Sequence, residues 1–189
     1  LYMVGCEMSV GGTGAAGESD VAVFSCVDST IYNNDPDTTI IDFFTFGSFI
    51  GEGPGAAVGS TFKGIGFQCI ETFNFEACSL ETTSLDLFGE STVVHGCAFF
   101  GTRPRTDWIV RIQNENMNIS ENRFDFNPGA DAGIDIEAPA IITGNEFESY
   151  RPGVNGAVFV NNSTCVIIGN RFPFAPTSGP PLVDAQGSN

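Results

Sequence analysis

Three charged residues recur at matched intervals in this chain. Asp86, Arg111 and Asp135 are separated by 25 and 24 residues, and Glu137, which falls beside Gln113, lies two residues further along. Paired carboxyls are the equipment of glycoside hydrolysis, at about 5–5.5 Å for retention or 6.5–9.5 Å for inversion. Acid–base work needs one of the two kept protonated, and an Arg between them favours the charged form of both. The reading is therefore a charge ladder joining neighbouring strands, with Asp86, Asp135 and Glu137 as the weak catalytic candidates.

Other chemistry is thinner. The stretch from Asp125 to Asp135 is dense in oxygen ligands, but its spacing lacks the closing Glu of a calcium loop, and it reads as a solvated turn. Asp35-Pro36-Asp37 reads the same way. His95 is the single histidine, it sits inside a strand pattern, and no Gly-x-Ser-x-Gly elbow accompanies it. Lys63 follows no phosphate-cradling glycine loop. The six cysteines, at 6, 26, 69, 78, 97 and 165, form no CxxC pair, so zinc is not expected. Stacked buried thiols are the plainer reading, and disulfides between neighbouring layers the sharper one. The triplets beginning at Asn118, Asn161 and Asn162 match the glycosylation acceptor, as chance allows in an Asn-rich chain. Trp108 follows a basic loop carrying Arg103 and Arg105, which is either a partner contact or a loop pinned to the body.

These groups need a scaffold, and a repeat supplies it. An aliphatic residue, two more, then Asn or Cys, one more, then Phe reads Val94-His95-Gly96-Cys97-Ala98-Phe99. It returns as Ile119…Asn122…Phe124, Ile142…Asn145…Phe147 and Ile167…Asn170…Phe172, with a weaker copy at Phe75…Cys78…Leu80. The anchors 78, 97, 122, 145 and 170 are 19, 25, 23 and 25 residues apart. A period near 23 means stacked supersecondary units, about eight layers in 189 residues. At ~4.8 Å per layer that is a rod of roughly 40 Å.

Upstream of each anchor, Leu85, Val110, Ile134 and Val158 align, as do Leu87, Ile112, Ile136 and Val160. Asp86, Arg111, Asp135 and Phe159 fall between them, so a period of two sends the aliphatics inward and these outward. Phe99, Phe124, Phe147 and Phe172 make an aromatic column, and Asn122, Asn145 and Asn170 a turn column whose amides can bond from layer to layer. Residues 1–60 fit less well, being irregular coils and capping loops. The regular part runs over 61–189. A last layer opens near Pro180–Ala185.

This pattern resembles the right-handed parallel β-helix of the pectin-lyase-like superfamily, over roughly residues 60–178. The resemblance implies an all-β, single-stranded right-handed parallel β-helix of about eight coils. It is most like tailed-phage virion surface proteins, either capsid decoration (cement) proteins or tail-spike components. It implies a non-enzymatic homotrimer at a virion surface or other extracellular site, held by contacts with capsid or tail proteins. Phe159 would belong to the buried strip. Family members that cut polysaccharides, as lyases or glycoside hydrolases, and non-catalytic glycan-binding adhesins are the alternatives. No cofactor is expected. A formal charge of −16 repels nucleic acid and anionic lipid, and no apolar run approaches the ~18 residues of a membrane span. The start has neither an initiator Met nor a signal core, so the chain reads as processed or as a segment of something longer.

Overall fold

The computed structural model describes residues 2–10, 25–33, 42–46, 55–101, 108–126, 132–148, 157–161, 163–172 and 183–186. These residues are all-β, with no helix. The first strands are β1 (Tyr2–Val4), β2 (Glu7–Val10), β3 (Ser25–Val27), β4 (Thr30–Asn33), β5 (Asp42–Phe46) and β6 (Gly55–Val58). Next come β7 (Thr61–Lys63), β8 (Ile65–Cys69), β9 (Phe73–Glu76), β10 (Ser79–Glu81), β11 (Ser84–Leu87) and β12 (Val93–His95). Then follow β13 (Ala98–Gly101), β14 (Trp108–Ile112), β15 (Met117–Ser120), β16 (Arg123–Phe126) and β17 (Ala132–Ile136). The last are β18 (Ala140–Thr143), β19 (Glu146–Glu148), β20 (Val158–Asn161), β21 (Cys165–Ile168) and β22 (Val183–Gln186).

The strands form three parallel sheets that the chain visits in turn. Sheet I has eight strands, β1-β3-β6-β9-β12-β15-β18-β21. Sheet II has seven, from β2 through β4, β7, β10, β13 and β16 to β19, and sheet III seven, from β5 through β8, β11, β14, β17 and β20 to β22. Each strand pairs with one a whole repeat away, the arrangement of a solenoid. Strands from the first 60 residues enter the same sheets: β3 pairs β6, β4 pairs β7, and β5 pairs β8.

The aligned columns of the sequence are columns in space. Leu85, Val110, Ile134 and Val158 lie in register and are fully buried, as are Leu87, Ile112 and Ile136 with Val160. Val94, Ile119, Ile142 and Ile167 line the inside of sheet I. Phe99, Phe124, Phe147 and Phe172 stack with centroids 4.7, 4.8 and 4.9 Å apart and rings within 9° of parallel. That spacing is the strand spacing itself, so in-register strands place ring over ring.

The turn between sheets I and II is two residues long and its chemistry repeats. Its first residue is Gly5, Asp28, Gly59, Ala77, Gly96, Glu121, Gly144 or Gly169, all with φ between 48 and 68°. Five of these are glycine, the residue that adopts this conformation at no steric cost. The second residue carries the ladder. Asn122 N–H donates to Asn145 Oδ1 at 3.0 Å and Asn145 N–H to Asn170 Oδ1 at 2.9 Å. The side-chain amides link the same layers at 3.0 and 2.9 Å, and each also donates to a main-chain carbonyl.

The column continues past the asparagines. Cys97 N–H donates to Asn122 Oδ1 at 2.8 Å, and Cys78 N–H to Cys97 Sγ at 3.4 Å. Ser29 N–H donates to Ser60 Oγ and Cys6 N–H to Ser29 Oγ. The expected stack of Cys6 on Cys26 does not form. Cys26 lies opposite Met3, inside sheet I, while Cys6 is exposed at the turn. The interval across that layer is 23 residues, so the 20-residue spacing misaligns them. All six cysteines are unbridged.

Candidate functional site

Strands β11, β14 and β17 place Asp86, Arg111 and Asp135 side by side on the outer face of sheet III, with Phe159 next in line on β20. The alternation of each strand forces this, because its neighbours on either side are core aliphatics. The ion pairing differs from the expected ladder. Arg111 turns to Glu137, with Nη2 at 2.9 Å and Nε at 3.3 Å from Oε1, and Gln113 Nε2 donates to Oε2 at 3.0 Å. Trp108 lies alongside, its ring centroid 5.7 Å from the guanidinium carbon. Charge ladders do occur on sheet II, where Lys63 pairs Glu81 at 3.0 Å, Arg123 bridges Asp125 and Glu148, and Arg171 pairs Glu146.

Asp86 and Asp135 are left as the unusual pair. Asp86 is only 7% exposed although it points outward. Burial pushes both carboxyls up to about 6, against the pull of Arg111. Glu137 goes the other way: burial raises it, but the hydrogen bonds from Gln113 and Arg111 outweigh that and hold it below the usual carboxylate range. Ser84 Oγ, Asp86 Oδ1, Gln113 Oε1 and Asp135 Oδ1 are all buried without a hydrogen-bond partner. Four such oxygens on one sheet face are a concentration of unmet acceptors. They suit a ligand that brings hydroxyl or amide donors. Two strand spacings put about 9–10 Å between the Asp86 and Asp135 main chains, near the upper end of the inverting range.

His95 faces out from sheet I. Its Nδ1 is 3.2 Å from Ser120 Oγ, and Nε2 is 3.9 Å from Glu121 Oε2. The amides beside it are spent in the sheet: Gly96 N–H donates to Ser120 O and Glu121 N–H to Thr143 O. No pair of free donors flanks Ser120 to hold an oxyanion, so the trio lacks what acyl transfer needs. Among the described residues, no group of three or more His, Cys, Asp or Glu is disposed to hold a metal ion, and no helix is long and apolar enough to cross a membrane. Arg103, Arg105, Asp35-Pro36-Asp37 and most of the loop from Asn127 to Asp131 lie outside the described residues.

Two features escaped sequence reading. Ser84 gave no signal, since a lone serine in a strand is unremarkable. The second is a set of exposed apolar side chains on sheet I: Tyr2, Val4, Val58, Ile141, Val166 and Ile168, from 37% to 77% exposed. Tyr2-Met3-Val4 and Val166-Ile167-Ile168 are unbroken apolar triplets where alternation calls for polar residues outside, and that was the available signal. Phe159, expected to belong to an exposed strip, is half-buried.

Comparison with family models, with curated proteins and with solved structures finds no match to this chain.

Proposed function

We propose that this chain is a non-enzymatic structural protein: a right-handed parallel β-helix of about eight coils, of the pectin-lyase-like kind, working at a virion surface or other extracellular assembly. The observation that carries this reading is the placement of the exposed apolar side chains. Of the seven large hydrophobics exposed among the described residues, six lie on the outer face of sheet I and the seventh, Val183, on a terminal strand of sheet III. A rigid sheet face with apolar residues at both ends is suited to lateral contact with another protein. The protein acts as a homotrimer, in capsid decoration or as part of a tail spike, and stabilises a shell by bridging its subunits. Its strong negative charge fits protein partners and disfavours nucleic acid and anionic membranes. Light scattering tests this: the expected mass is three times 20.0 kDa, and Val166→Lys with Ile168→Lys reduces it to one. A monomer at all concentrations, with no binding to shells, overturns it.

A second reading rests on the unmet oxygens of Ser84, Asp86, Gln113 and Asp135. Sugar hydroxyls would satisfy them, with Trp108 as a stacking surface. That makes sheet III a glycan-binding face, or the cleft of a polysaccharide depolymerase in which one raised carboxyl is the acid and the other the base. Release of oligosaccharides, lost in both Asp86→Asn and Asp135→Asn, establishes the enzyme. Saturable glycan binding without products establishes the adhesin.

A further inference from the structure

Cys78 and Cys97 occupy the same ladder position in adjacent layers, immediately before strands β10 and β13, whose register pairs Ser79 with Ala98 and Leu80 with Phe99. Extending that register by one residue sets the two cysteines directly opposite each other. At the strand spacing their Cα atoms lie about 4.8 Å apart, inside the 4.4–6.8 Å range of disulfides. Contact is direct: Cys97 Sγ accepts the Cys78 N–H at 3.4 Å. Each side chain is 2% exposed and unbridged. No other two of the described cysteines share a ladder rung: Cys26 and Cys69 lie inside sheets I and III, and Cys165 is on β21.

We propose that Cys78 and Cys97 are an oxidation site at which a small peroxide closes a disulfide between neighbouring coils. Cys78 is the attacking sulfur. The hydrogen bond from the Cys97 thiol lowers the Cys78 thiol below its usual value, while Cys97 keeps its proton. The Cys78 thiolate attacks hydrogen peroxide, breaking the O–O bond and releasing hydroxide, and becomes a sulfenic acid. Cys97 sulfur then attacks Cys78 sulfur. The S–O bond breaks, the S–S bond forms, and the Cys97 proton leaves with the hydroxyl as water. In sum, two thiols and one peroxide give a disulfide and two waters. The bridge closes a loop of about 20 residues and ties β10 to β13, which restricts the unfolded chain and stabilises the fold.

The test uses the whole chain with Cys6→Ser and Cys165→Ser, which removes the two more accessible thiols. After hydrogen peroxide treatment, denaturation and alkylation, cleavage at glutamates separates the peptide 77–81 from 91–115. The expected result is a cross-linked pair of these peptides, 2 Da lighter than the sum of the reduced ones, and an unfolding midpoint several degrees higher that dithiothreitol reverses. With Cys97→Ser added, Cys78 stops at a sulfenic acid that dimedone traps. Recovery of both peptides fully alkylated, or over-oxidised without a cross-link, overturns the proposal. So does a cross-link that lowers the midpoint.

Discussion

The two halves of the rod build one architecture with different parts. From Cys97 onward the turn column is asparagine, with paired main-chain and side-chain bonds from layer to layer. Before it the same column is serine and cysteine, which pass on a single bond each. The cores differ in parallel. Phe99, Phe124, Phe147 and Phe172 stack face to face. Phe62, Phe67 and Phe75 come from three sheets and meet edge-on, with interplanar angles from 77 to 83°. The lesson is that register, set by the parallel ladders and the left-handed turn residue, is what the fold requires. Identical side chains are one way to fill it, and a mixed edge-on cluster is another.

Substitutions can break or sharpen that contrast. The largest effect is expected from Phe124→Ala, which empties the middle of the stack and costs about 3–5 kcal/mol by chemical denaturation. Asn145→Ala comes next. It strands the Asn122 amide and the Ile119 carbonyl in a buried turn, at about 3 kcal/mol. The matching change in the other half, Ser29→Ala, removes one ladder bond and costs about 1 kcal/mol. Equal losses for Asn145 and Ser29 would erase the distinction between the halves.

A pH series separates sheet III from both. Asp86 and Asp135 have folded pKa values raised from 3.8 to about 6. The folded state therefore holds more protons than the unfolded chain between these values. The stability they contribute is present below pH 4 and is lost as pH rises through 6. Asp86→Asn is expected to raise the unfolding free energy at pH 7, on the order of 1–2 kcal/mol, with no gain at pH 3.5. A loss at pH 7 would mean that the carboxylate is paired. The smallest effect is Glu121→Gly. It relieves a φ of 57° at a non-glycine residue and forgoes a long, exposed contact to His95. Its gain is about 0.5–1 kcal/mol.

The contrast between the halves also explains what could be read in the sequence. Repeated Asn and Phe at a steady period announced the layers from Cys97 on, and the aliphatic columns of sheet III followed from alternation. Ser29 and Ser60 were invisible because a hydroxyl replaces the amide at the rung and nothing about an isolated serine marks it. Phe62, Phe67 and Phe75 share no column, so no period linked them. At the candidate site, the column of Asp86, Arg111 and Asp135 was legible from register alone. Its pairing was not: Arg111 has a second carboxylate within reach, at Glu137, and Gln113 helps to hold that one ionised. Which acid an arginine selects depends on the surrounding donors, and spacing does not encode them.

The most direct test of in-register stacking is a nuclear Overhauser map of the aromatic rings and asparagine side-chain amides. The expected result is a chain of contacts in strict order, Phe99 to Phe124 to Phe147 to Phe172, with the Asn145 amide near both Asn122 and Asn170. Contacts that skip a layer, such as Phe99 with Phe147 directly, would contradict it.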